Sequence, residues 1–260
     1  MILDIYKDSL EYSFKDELAV LKLGIISFFS FLIIPIFLFF GYNYRVIKTA
    51  TLGMINGDDE VPKFDDLASM FVDGLKVFLV KLIYCIPIFI LLFGTVALGS
   101  GLENYNENLS TAIIIIGMLL TIIVGVFSYL FSLIAIPRMA NYNDSFKEAF
   151  NLKEIFDSLK FIGILRYIVF YAGLVIIIFV IIAVVIGIIL GVFGIIGLGG
   201  MTLSVYSEGL MGLFSSIGGT IIAVGIMIFN LLLVLIINPF LSIFENRAIG
   251  LIYEGNSDLE

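Results

Sequence analysis

The chain has 260 residues, of which 61% are hydrophobic and only 14% charged, and its mean hydropathy is +1.15. A soluble domain needs about 25% charged residues to stay solvated, so this composition excludes an ordinary globular protein and predicts one membrane domain over 1–260, with no room for a separate soluble enzyme domain. The net charge of −8 comes from acids gathered in a few loops and the N-terminal segment, and it excludes nucleic acid as a partner, because phosphate binding needs clustered cations.

Residues 1–20 read as an interfacial amphipathic helix that is retained, since no basic region, apolar region and small-residue cleavage site follow one another. Tyr6, Leu10, Phe14, Leu18 and Leu21 form an apolar stripe at helical spacing, flanked by charges. Beyond it lie five apolar blocks near 21–44, 75–99, 111–137, 161–198 and 217–244, each long enough for a hydrocarbon core of about 30 Å. They group as a first helix-pair unit (21–99), a second (111–198) and a last helix with its tail (217–260). The fourth block is too long for one upright helix, and its thickening glycines predict a break after Gly191. The fold class expected is all-α, a polytopic transmembrane bundle of five or six membrane helices with cytoplasmic interfacial amphipathic helices.

Lysine and arginine set the orientation. Arg45, Lys48, Lys63, Lys76 and Lys81 follow block one, and Arg138, Lys147, Lys153, Lys160 and Arg166 follow block three, while 100–110 and 199–216 contain none. Loops 45–74 and 138–160 are therefore expected in the cytoplasm of a multi-pass cell-membrane protein, and Arg247 places the C-terminus with them. A single crossing by block one would put Lys7, Lys15 and Lys22 outside. A re-entrant hairpin bent at Pro35 would keep both of its ends inside.

The segment DLASMFVDGLKVF (66–78) echoes NLKEIFDSLKFI (151–162) with one residue dropped, matching Asp73 with Asp157 and Lys76 with Lys160. Each copy is expected as an amphipathic helix feeding a span, in a duplicated helix-pair unit. Asn56-Gly57-Asp58 reads as a turn, and Pro62 with Asp65 and Asp66 as a helix start. Ser145 with Glu148 and Asn151 with Glu154 have capping spacing, so both polar loops are expected to be ordered helices.

No histidine occurs, which removes Ser-His-Asp and Cys-His chemistry, and the lone Cys85 rules out a disulfide framework. No intramembrane carboxylate pair is visible, so no catalytic residue, metal site or cofactor is expected. Lys81 and Arg166, on corresponding arms of the repeat, read either as cations facing a shared cavity or as snorkelling side chains, and their position favours snorkelling. Asn230 and Asn238 read as helix-bridging amides, Gly187 and Gly191 as a GxxxG contact, and Tyr42, Tyr44, Tyr84, Tyr129, Tyr142, Tyr167 and Tyr171 as boundary anchors.

The stretch from Gly41 to Pro87 resembles a largely archaeal membrane family called domain of unknown function 4013. The resemblance is carried by Gly41, Tyr42, Arg45, Val46, Pro62, Asp65, Asp66, Phe71, Asp73, Gly74, Leu75, Tyr84 and Pro87. Val61-Pro62 and Phe64 stand where members often have Leu-Pro and tryptophan. The resemblance implies a polytopic membrane domain without an assigned activity, and it carries over no binding residue. The expected function is a non-enzymatic scaffold whose partners are the lipid bilayer and a membrane or cytoplasmic protein or a second copy. The alternative is a transporter or lipid-handling protein with a site between the helix pairs, marked by a polar cavity near Lys81 and Arg166.

Overall fold

The computed structural model describes residues 1–215 and 217–254, leaving out the side chains of 196–219 and 222, and every regular element among them is helical. The amphipathic stripe forms α1 (Ile2–Phe14). Next comes α2 (Glu17–Phe28), started by Asp16, whose carboxylate accepts the Ala19 N–H at 2.9 Å. The chain reverses at 29–32 and returns as α3 (Ile33–Leu52). Pro35 lies in the first turn of α3, where its missing N–H leaves no bond unmade, so the reversal precedes the proline instead of falling on it. Ala19, Val20 and Leu23 of α2 share a buried cluster with Tyr42 and Val46 of α3, which makes the pair antiparallel. Its tip exposes Phe28, Phe29, Phe31 and Ile33. Block one is therefore an antiparallel helical hairpin that reverses at 29–32.

Residues 53–66 are irregular, not the ordered helix expected there. Asp66 then starts α4 (Leu67–Leu102) by accepting the Ser69 N–H at 3.1 Å, as its acidic spacing predicts. The 66–78 copy of the repeat is thus the first part of a continuous 36-residue helix, followed by α5 (Glu107–Asn141) in an antiparallel hairpin. The 151–162 copy is a separate helix, α6 (Leu152–Ile162), because Gly163 at φ +89° breaks the chain before α7 (Ile164–Ser215). Both copies keep an Asp–Lys pair one turn apart, Asp73–Lys76 at 3.8 Å and Asp157–Lys160 at 3.7 Å. Neither Ser145 nor Asn151 makes the side-chain cap its spacing suggests, and Glu148 is drawn instead to Arg138 at 2.8 Å.

The helix α7 passes Gly191 without the expected break and packs against α8 (Ile217–Leu232). Ser216, in the expected external connection, and the tail 255–260 lie outside the described residues. A π turn at Leu233–Ile237 leads into α9 (Asn238–Glu254). Pro239 cannot donate to the Leu235 carbonyl one turn back. Gly24 of α2 closes on that carbonyl so tightly that a Cβ would sit 2.0 Å from its oxygen.

Four helical stretches among the described residues are long and apolar enough to cross a membrane, Leu67–Leu102, Glu107–Asn141, Ile164–Ile195 and Ala223–Glu254, in place of the five or six expected. Block one is not among them, because it is divided between α2 and an α3 whose second half carries Arg45 and Lys48. The packed core lies at one end of the molecule. It is built from Ile5, Val77, Ile134, Ile155, Phe170 and Phe244, contributed by α1, α4, α5, α6, α7 and α9. The rest of the two hairpins presents Ile90, Phe93, Ile116, Ile122, Phe179 and Ile188 outward.

Candidate functional site

The α3–α4 contact is set by two glycines. A Cβ on Gly41 would lie 1.8 Å from the Met70 carbonyl oxygen, and one on Gly74 would lie 1.8 Å from that of Phe37, so only these residues let the backbones meet. That contact, with α5, α7 and α9, encloses a cavity of about 310 Å³ where the apolar hairpins meet the packed end. Phe39, Phe40, Asn43, Tyr44 and Ile47 come from α3, Val77 and Lys81 from α4, and Tyr129, Leu133 and Ile136 from α5. Ile178 and Ile182 of α7 and the α9 stripe Asn238, Leu241, Ser242, Glu245, Asn246 and Ile249 complete the wall.

Several polar groups of this wall are already satisfied. Asn238 donates to Ser27 Oγ at 3.3 Å, the bridging role expected of that amide, and Asn246 donates to the Ser242 carbonyl at 2.7 Å. Tyr129 receives the Tyr171 hydroxyl at 2.6 Å. Others are left over. Asn43 is buried and its Oδ1 accepts no hydrogen bond. Lys81 is exposed to the cavity, its Nζ 5.3 Å from the Phe40 ring centre, and Glu245 is half-buried. Among the described residues neither forms an ion pair within 4 Å, although each lies within the other's electrostatic reach.

The sequence-predicted residues divide accordingly. Lys81 faces the cavity, whereas Arg166 lies against Met1 at the molecular end, so the two cations do not share a site. Tyr42 is buried against Phe64 with ring centres 4.2 Å apart. Arg45 clamps the irregular segment holding Pro62, donating to the Lys63 and Asp65 carbonyls at 3.2 and 2.8 Å and pairing with the Asp65 carboxylate at 3.0 Å. Asp73 pairs along its own helix, and Tyr84 donates to the Ala149 carbonyl at 2.9 Å. Asn230 donates to the Ile226 carbonyl of its own helix at 2.9 Å and, among the described residues, bridges to no neighbour. Among the described residues nothing lies within 4 Å of a Cβ added at Gly187 or Gly191, so the GxxxG makes no close packing contact there. Tyr42, Tyr44 and Tyr167 are core residues instead of boundary anchors.

Glu245 is missed by sequence reasoning because it falls just past the end assigned to block five. Asn238, Ser242 and Glu245 nevertheless recur at helical spacing, a polar stripe that signals an inward-facing wall. Arg247 is also misplaced as a tail cation. It is fully buried, pairing with Asp8 at 3.0 Å and Asp59 at 2.6 Å and lying 4.5 Å from the Tyr12 ring centre. A separate cluster centres on Asp144, which accepts from Tyr44 at 2.8 Å and Lys48 at 2.6 Å. Among the described residues no cluster of His, Cys, Asp and Glu converges as metal ligands would.

Among the described residues these features define an all-helical architecture with four helices of membrane-crossing length and hydropathy and, at the root of its two hairpins, a mostly apolar cavity lined in part by polar side chains. The chain belongs to the family described as protein of unknown function DUF4013, whose family model matches residues 28–191. No curated protein and no solved structure matches it.

Proposed function

We propose that the chain is a non-enzymatic, multi-pass membrane protein that holds an amphiphile or solute in the cavity between its helix pairs. The supporting observation is that Lys81 and Glu245 face one cavity without pairing directly, beside the buried, unpartnered Asn43. Ionisable groups kept unpaired at the edge of apolar spans are costly unless something else answers them. The scaffold reading rested on spans without such groups. It keeps one support, the exposed Glu60 of the 53–66 segment, a carboxylate outside the Lys15–Asp58 and Arg45–Asp65 pairs that a cationic partner can meet.

In this reading α4, α5, α7 and α8–α9 cross the membrane and α2–α3 re-enters it. The arginine and lysine bias then puts α1, the 53–66 segment, α6 and the C-terminal end of α9 in the cytoplasm. A photoactivatable residue at position 182, inside the cavity, tests the reading in nanodiscs. A lipid or solute adduct at that position is expected. Adducts at a control position on the outer surface, Ile122, with none at 182, would overturn it.

A further inference from the structure

We infer that the cavity selects a zwitterionic headgroup carrying a phosphate and a primary ammonium, an inference that rests on the ligand-holding reading above. Lys81 and Glu245 bring opposite charges to one space of about 310 Å³ and do not neutralise each other by contact. A simple anion would answer Lys81 and leave Glu245 facing it across a low-dielectric space, and a simple cation would do the reverse. A ligand with both charges answers both residues at once. Its volume, at the small end of ligand sites of about 300–1,000 Å³, suits a headgroup better than a whole lipid.

Glu245 sharpens the choice. Its carboxylate only accepts hydrogen bonds, so it is answered best by a cationic end that brings N–H groups. A primary ammonium has three, whereas a quaternary ammonium has none. Ile178 and Ile182 form an apolar wall on α7 against which the first methylenes of an acyl chain can lie. The ligand chemistry is thus an aminoalkyl phosphate, supplied either by a bilayer lipid or by a free phosphomonoester.

The test uses the full chain in nanodiscs containing equal amounts of phosphatidylethanolamine and phosphatidylcholine, each with a photoactivatable acyl chain, and maps adducts on the peptides bearing Ile178 and Ile182. Phosphatidylethanolamine is expected to label them about tenfold more than phosphatidylcholine, a preference reduced to parity by Glu245→Gln and with labelling weakened for both lipids by Lys81→Met. The wild-type preference needs no variant to fold. Competition by free O-phosphoethanolamine would support the site with a soluble ligand, and preference without competition would support a lipid source. Equal labelling by the two lipids would overturn the headgroup inference while leaving ligand holding intact. No labelling of these peptides by lipid, with no protection of the cavity by O-phosphoethanolamine, would remove both.

Discussion

Arg247 is the largest side chain that the fold hides completely, and it is charged. Its bonds to Asp8 and Asp59 compensate a burial that would otherwise be prohibitive. Arg247→Ala leaves two carboxylates without their partner, and a loss of about 3–5 kcal/mol is expected, read as a large fall in Tm and early proteolysis of α1. Lysine should rescue little, because one ammonium cannot span both acids and lie over Tyr12. Asp144 gives a pH-dependent counterpart. Burial alone would raise its carboxyl, but the hydrogen bonds from Lys48 and Tyr44 outweigh that and hold it below the ordinary carboxylate value. A depressed folded value means that the stabilisation is present above the unfolded value of about 3.9 and is lost as pH falls through the folded one. Wild type should melt above Asp144→Asn at neutral pH, and the two Tm curves should converge in acid.

At the scale of elements, the α3–α4 contact depends on two absent side chains. Gly41→Ala and Gly74→Ala each thrust a Cβ against a carbonyl oxygen on the facing helix, and each should cost about 1–3 kcal/mol. Either alone parts the helices, so the double variant should cost less than the sum, a shortfall a double-mutant cycle in detergent melts would reveal. What was legible in the sequence follows the same division. Long apolar runs and the Asp66 start announce α4 and α5 because hydropathy and capping act locally. The α2–α3 reversal was legible as a charge conflict at Lys7, Lys15 and Lys22, although its place before Pro35 was not. A cavity beside Lys81 was legible, with Arg166 as its expected second charge, but Glu245 was hidden because it lies 164 residues from Lys81 and only tertiary packing turns the two toward one space.

The whole molecule is a packed, ion-paired end from which two long hairpins extend. Helix α4 alone, with 36 residues at about 1.5 Å each, is roughly 54 Å long, more than the hydrocarbon core of about 30 Å, so part of it must stand outside or tilt. The α4–α5 connection carries the exposed Tyr105 and contains no lysine or arginine, while the Lys15–Asp58 pair lies at the opposite, packed end. In a Cys85→Ala background, cysteines at Tyr105 and Asp58 should react with an impermeant maleimide from opposite faces of sealed vesicles. Labelling of both from one face would refute the arrangement of spans.

The pairing of Asp8 with Arg247 joins positions 239 residues apart. A ribosome makes α1 long before the cation that completes its seat. The helix must therefore wait, amphipathic and unpaired, while both hairpins between them are made. Its docking becomes a report that the hairpins are in place, and a chain stalled before Arg247 would display an open α1 to whatever surveys unfinished proteins.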